Sequence, residues 1–420
     1  MFDSHKIDDY FENRNAFAQN NHHDKAKISG WTRFAKLGFP CVAAALLGLM
    51  IVMPNIRKSV ELHNNITVPR KGEMEKLHME ETVFSATDNK NRVSHLTANS
   101  VDEIAPHSQK VKINSPHGNI PIDNGEVVLT SDVGYWTQNT NLVELEQNVK
   151  AVVNGTTTIT TNRATYDFNA DTGYGNETVN AEGNWGNLTA DAFHYDKNTE
   201  ILTLKGHSRV VGNHGELTAQ KENRYYQREN KIEAEGDVVF IQQDKKLTAE
   251  KLILFLKEGS AKEITRAEAY ENVRIDTAKE TITGAKGIYD LLNNKVWLYG
   301  QKGQAVKIVQ NKNVLTAAQV VVHLQPGNSR EVKYIEALGK VFVKTPKGTA
   351  QGDRGTYNPA QKVVDLWDNV QIEQDGNFVR GNHAQTDLTT SVSRIMGKKK
   401  GERISGTFYK KRKNNGNQKK

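Results

Sequence analysis

The sequence predicts an all-β fold: an elongated antiparallel β-jelly roll of repeated units about thirty residues long, preceded by one transmembrane helix. Three observations lead there. A Thr-Ala-like pair recurs at Thr160-Thr161, Thr189-Ala190, Thr218-Ala219, Thr248-Ala249, Thr283-Gly284, Thr316-Ala317, Thr349-Ala350 and Arg380-Gly381, in steps of 29, 29, 30, 35, 33, 33 and 31 residues. Each pair opens an alternating run that often ends in an aromatic residue and turn formers, as in "FHYDKNT", "GIYDLLNN" and "GTYNPAQ". One stretch is strongly apolar: "LGFPCVAAALLGLMIVM", Leu37 to Met53.

Within a unit the alternating run gives the first strand, and "ILTLKG", "KVWLYG" or "KVVDLWD" gives the second. A break follows, with a Gly, Asn or Asp before a valine: "QNVKAV", "GDVVFI", "ENVRID", "GKVFVK" and "DNVQIE". Those residue types tolerate the left-handed backbone that a sharp bend or bulge requires. The third strand then alternates with period two, so Lys150, Arg274 and Gln371 point away from their apolar neighbours. The unit reads as strand, turn, strand, bend, strand, turn. The run "AEKLILFLKEG" at 249–259 has a helical look, but its place in the repeat makes it a strand pair.

Stacking such units buries one continuous apolar strip. Its candidate members are Val149, Ala151, Leu202, Leu204, Val238, Phe240, Val273, Ile275, Val341, Val343, Val370 and Ile372. The strip has two readings, a plain core or a groove that holds an apolar ligand. Residues such as Ala151, Thr203, Ala305 and Ala337 thin it, which favours an open groove. Trp297, Tyr299, Trp367, Tyr195 and Tyr289 suit strand packing or ligand contact equally.

Leu37–Met53 is at the short end of a bilayer span. Its flanks are polar and give a core helix nothing to pack on, and no small-residue cleavage site follows Met53. Lys25, Lys27, Arg33 and Lys36 precede it and Arg57 and Lys58 follow, which puts the N-terminus in the cytoplasm. The single cysteine, Cys41, allows no internal disulfide.

The 420 residues carry a formal charge of +7 and are 37% hydrophobic. From Gly397 to Lys420 ten Lys/Arg stand against one Glu, so this tail carries +9 and the rest of the chain −2. A basic tail on a near-neutral body is not a nucleic-acid groove; a solvated end or attraction to phosphates and anionic membrane accounts for it. No nucleophile elbow, phosphate loop or zinc-protease motif is present. His22-His23-Asp24 falls in a polar tail, and His207 and His214 lie near turns, without ligand spacing. The sequence predicts no enzyme, no cofactor and no metal.

The stretches "HLTANSVDEI", "VVLTSDVGYWTQNTNLVELEQNVKAVVNG" and the run from Thr157 to Val211, after a short tail and one span, resemble the LptC family, the membrane-anchored periplasmic members of the lipopolysaccharide transport bridge. From about residue 212 to 393 the repeats resemble LptA, the soluble OstA-like subunit, so the chain reads as a fusion of the two. The resulting division is 1–36 a disordered cytoplasmic stub, 37–53 the helix, 54–78 a linker, 79–212 an LptC-like roll, 213–393 an LptA/OstA-like roll and 394–420 a basic disordered tail. The resemblance implies a component that receives lipopolysaccharide from an inner-membrane ABC transporter. It implies onward passage to another LptA-like unit or an LptD-type outer-membrane translocon. The alternative is a structural β-solenoid scaffold or an anchored signalling ectodomain with no lipid cargo.

Overall fold

A computed structural model describes residues 77–407, except 88–90, 106–107, 123–124, 213–214, 258–259, 327–330, 375, 388, 391 and 398–403. The expected helix at Leu37–Met53, the stub before it and most of the basic tail lie outside the described residues. Among the described residues there are 28 strands, and no helix is long and apolar enough to cross a membrane.

The strands form one antiparallel meander in which the chain runs back and forth across the same sheet. Each long traverse pairs only with the one before and the one after it, as in Gly186–Asp196 with Ile201–Gly212 and Lys231–Gln242 with Lys245–Lys257. Seven traverses are interrupted once, for example Gly215–Ala219 with Glu222–Tyr226 and Asn313–Ala317 with Gln319–Leu324, so the 28 strands make 21 traverses among the described residues. Nearest-neighbour pairing alone is the signature of a repeat that grows in one dimension. The ladder crosses the expected boundary near residue 212 without a break, with Gly212 opposite Gly215.

Each traverse is creased near its middle. The bend expected before the valine is a bulge: Gln147 and Asn148, Glu271 and Asn272, and Asp368 and Asn369 all have positive φ, as do Gly236-Asp237 and Gly339-Lys340. The ladder skips there, between Glu146 and Val149, Tyr270 and Val273, and Trp367 and Val370. A non-glycine residue in this region costs about 1 kcal/mol, and hydrogen bonds hold it in place. The carbonyls of Gln147, Gly236 and Gly339 accept from the N–H groups of Asp132, Gln220 and Ala318 at 2.9, 2.7 and 2.9 Å. The second and third strands of the expected unit are thus often one bulged strand, as in Lys231–Gln242 and Val363–Gln374. The run at 249–259 is likewise no strand pair: it continues the single strand Lys245–Lys257, and the next strand starts at Ser260.

The crease brings the two halves of the sheet together on one face. A single core cluster combines Ala219, Val238 and Ala249 from one half with Ala234, Leu252 and Leu254 from the other. The close approach explains the small residue of the Thr-Ala pair. Ala190, Ala219, Ala249, Gly284, Ala317 and Gly381 occupy the inward position next to the crease, where a Cβ at Gly381 would stand 2.5 Å from Cγ2 of Ile395. One anchor was misplaced. In the strand Gly348–Asn358 the crease residue is Gly352, opposite Val341, two positions after Ala350.

Candidate apolar trough

Every traverse points about four residues inward, two beside the crease and two nearer the free ends of the fold. Cross-strand pairing joins the outer positions into two continuous rows, one on each wall. The first wall runs Val143, Tyr166, Gly173, Tyr195, Leu202, Tyr225, Ile232 and Leu254, then Ala267, Tyr289, Val296, Val322, Ile335, Tyr357 and Val364. The second runs Leu129, Ala151, Ile159, Ala181, Leu188, Val210, Leu217, Phe240 and Leu247, then Ile275, Ile282, Ile308, Leu315, Val343, Ala350, Ile372 and Val379.

Burial divides these rows into two sections. On the second wall Leu129, Ala151, Ile159, Ala181 and Leu188 are all buried. From Phe240 onward every member is only half-buried, while the crease residues below them stay shut off, with Val238, Val306 and Val320 at 0% exposure. On this second wall exposure therefore rises from the crease to the rim downstream and not upstream, while on the first wall Leu254 and Val322 stay buried. A filled core would bury both rows; here the second-wall row is half-exposed above a buried floor. The downstream section is a trough, walled almost entirely by Ile, Leu, Val, Phe and Tyr.

All twelve residues expected on the strip face inward, but they are not equivalent. Val149, Ala151, Leu202, Leu204, Val238, Val273, Val341 and Val370 are buried. Phe240, Ile275, Val343 and Ile372 are half-buried and line the wall of the open section. Two residues read as thinning the strip do not belong to it: Thr203 faces away between the inward Leu202 and Leu204, and Ala305 is exposed in the break before Val306. Arg274 and Lys150 point outward as expected, and Arg274 binds Asp276 with Nε at 2.7 Å from Oδ2.

The aromatics separate in the same way. Tyr195 and Tyr289 face inward. Trp297, Tyr299 and Trp367 lie on the outer face, where Trp367 stacks on His383 at 5.2 Å between centroids and His383 bonds to Asp365 at 2.8 Å. The reading from sequence missed Ile282, Ile308, Leu315 and Val379. For three of them the signal was present: the residue directly before the Thr-Ala-like pair ("ITG", "LTA", "VRG") is the wall residue of its traverse, whereas Ile308 precedes no such pair.

Inside the fold the polar exceptions are few; Asn223, buried at the crease, donates from Nδ2 to Ser208 Oγ at 2.8 Å. Burial pushes the Tyr195 hydroxyl up to about 12 and raises that of Tyr166. Among the described residues no group of three or more His, Cys, Asp or Glu side chains is placed to hold a metal ion.

The described fold is a creased β-meander whose downstream second wall is apolar and half-exposed. Residues 41–213 match the family "Lipopolysaccharide-assembly, LptC-related", and residues 218–304 and 302–392 each match "LptA/(LptD N-terminal domain) LPS transport protein". The chain joins an LptC-related segment to LptA/LptD N-terminal segments and belongs with the components of lipopolysaccharide transport. No curated protein sequence matches it. Among solved structures, LptH of Pseudomonas aeruginosa, the LptA-homologous periplasmic component of that organism's lipopolysaccharide transport device, aligns with 31% of this chain and 95% of its own. Its identity is 15% and its TM-score 0.27.

Proposed function

We propose that the chain is an inner-membrane-anchored, single-pass bridge component with a cytoplasmic N-terminus. It takes lipopolysaccharide from an ABC transporter and passes it along the trough toward the outer membrane. In this reading Leu37–Met53 is the anchor, 79–212 the LptC-like roll and 213–393 the LptA-like roll, both of the β-jelly-roll kind, set end to end on one ladder. The observation that carries it is the half-exposed apolar wall from Phe240 to Val379 above a sealed floor.

The energetics suit that role. Exposing one acyl chain of about twelve carbons to water costs on the order of 10 kcal/mol at about 0.8 kcal/mol per methylene. A trough of aliphatic walls removes most of that cost and needs no directional bonds, while its open mouth leaves a sugar headgroup in water. His78–Thr87 pairs on one side only, with Val93–Glu103, and Val392–Met396 pairs only with Asn377–Asp387 among the described residues. Such edges accept partner strands by β-addition. The transporter would meet the first edge, and an LptA-like subunit or LptD-type translocon the second.

The test is photocrosslinking in native membranes with a probe at Ile275 and a control at Arg274, its outward neighbour. Lipopolysaccharide adducts at Ile275 and none at Arg274 are expected. Adducts at neither position, or equally at both, would overturn the proposal in favour of a cargo-free scaffold.

A further inference from the structure

We infer that the rim of the downstream second wall is a phosphate-binding lip, on which Lys245, Lys279, Lys312 and Lys347 hold the anionic headgroup of a lipid whose acyl chains lie on the wall below. This rests on the transport reading above. Three observations carry it.

The first is where the lysines fall. The first four hairpins of the half-exposed wall turn at Gln242–Lys245, Thr277–Glu280, Gln310–Asn313 and Thr345–Gly348. Lys279, Lys312 and Lys347 each take the third place of their turn and Lys245 the last, and all four are exposed. The three preceding turns at this rim, Val153–Thr157, Gly183–Gly186 and Gly212–Gly215, contain no lysine. Nor does Gln374–Asn377, where the row ends. The cations thus accompany the half-exposed wall and are no general feature of the turns.

The second is how they are held. Thr277 Oγ1 accepts from the N–H of Lys279 at 3.3 Å and of Glu280 at 3.1 Å, and Thr345 Oγ1 accepts from the N–H of Lys347 at 3.2 Å. Each hydroxyl donates to the carbonyl that closes its turn, that of Glu280 at 3.3 Å and that of Gly348 at 3.2 Å. Two repeats apart, the same threonine clasp fixes the backbone that carries the lysine. The side chains of Lys245, Lys279 and Lys312 make no hydrogen bond or ion pair among the described residues. Asp244 and Glu280 are the acids of these turns, and Lys246 beside Lys245 keeps the row positive.

The third is scale. Successive turns on one rim are two strands apart, about 10 Å. Ile282 and Leu315 on the wall each follow their lysine by three residues, about 10 Å of strand. An acyl chain lying against them brings its headgroup to the height of the lysines, and one headgroup can reach two. Cations in a row above an apolar wall suit an amphiphile with phosphates on its head.

The test uses the full chain in a zwitterionic bilayer, with a photoreactive residue at Ile308 and either lipopolysaccharide or its dephosphorylated form as probe. Removing the phosphates should lower the Ile308 adduct about thirtyfold, the share of two lysines. A chain combining Lys245→Gln, Lys279→Gln, Lys312→Gln and Lys347→Gln should give the same low yield with both lipids, and the corresponding four Arg substitutions should keep the preference. Equal yields from the two lipids in the unsubstituted chain would overturn the lip and leave the transport reading standing. No adduct from either would overturn both. A Gln variant that still prefers the phosphorylated lipid would overturn the assignment to these lysines. Flotation with phosphatidylglycerol vesicles separates the other source of phosphate: vesicle binding lost in the Gln variant with its Ile308 adduct unchanged would overturn cargo binding in favour of a bilayer surface.

Discussion

The side-chain amide of Asn369 donates to the carboxylate of Asp353 at 2.6 Å, tying the bulge of one traverse to the crease of the one before it. Asn148 does the same to Asp132, also at 2.6 Å, far upstream in the chain. Both asparagines sit in the left-handed region, at φ 53°. The same device thus sets the fold line in both halves of the protein. Asn369→Ala should cost about 2 kcal/mol, roughly half from the lost hydrogen bond and half from forcing alanine into left-handed backbone. Asn369→Gly should cost about half as much, because it keeps the backbone freedom. Chemical denaturation of both variants, with Asp353→Ala to complete a double-mutant cycle, separates the two terms.

Small residues beside the crease are there for room. A Cβ at Gly381 falls 2.5 Å from Ile395 Cγ2, so Gly381→Ala should destabilise by about 1–3 kcal/mol through overpacking. Combining it with Ile395→Ala, which removes that methyl, should cost less than the sum of the two single changes. Thermal unfolding of the four proteins reads the difference.

Floor and wall residues should respond oppositely to truncation. Val306 is fully buried, and Val306→Ala should cost about 2 kcal/mol of stability. Ile308, two residues on and half-buried, loses more carbon on truncation to alanine yet should cost only about 1 kcal/mol. Lipid retention should rank the other way, with Ile308→Asp abolishing co-purified lipopolysaccharide while the chain remains folded. Melting curves together with lipid analysis of the purified variants decide it.

The outer face carries a charged set with a definite pH signature. Lys251 Nζ binds Glu235 at 2.9 Å and also contacts Glu233, which is buried. Hydrogen bonding to Lys251 holds the Glu235 carboxyl below its ordinary 4.5, and Glu233 raises Lys251 above 10.5. The depressed carboxylate contributes stability that is complete above pH about 4.5 and lost as pH falls through its lowered value. The raised lysine contributes stability that is complete below pH about 10.5 and lost as pH rises through its raised value. Lys251→Met should therefore flatten both limbs of the melting temperature against pH. Near neutrality it should cost about 2 kcal/mol, since it leaves Glu233 buried and unpaired.

Much of this architecture is legible in the residues. Period-two alternation placed Val273, Ile275, Val341 and Val343 on one face, and the Gly/Asn/Asp before each valine marked the crease, because both depend on local backbone geometry. The anchor at Thr349-Ala350 went astray because Gly352 and Gly355 offer no side chain by which to register the strand. Thr203 lies between the inward Leu202 and Leu204, so period-two alternation already turns it outward, and Ala305 falls in the break between Lys295–Tyr299 and Val306–Gln310, outside either strand. The division between a buried upstream wall and a half-exposed downstream one was not legible at all. Leu188 and Leu315 stand in the same "LTA" context, yet Leu188 is buried and Leu315 half-buried, a difference set by the residues that neighbouring traverses bring against each.

The most direct test of an open, lipid-holding trough is the reactivity of a thiol on its wall. With Cys41→Ser removing the native cysteine, Ile308→Cys becomes the only thiol in the chain. The account predicts rapid modification by a small water-soluble reagent in the lipid-free protein and strong protection when lipopolysaccharide is added. Slow modification without lipid, or modification that lipopolysaccharide does not slow, would contradict it.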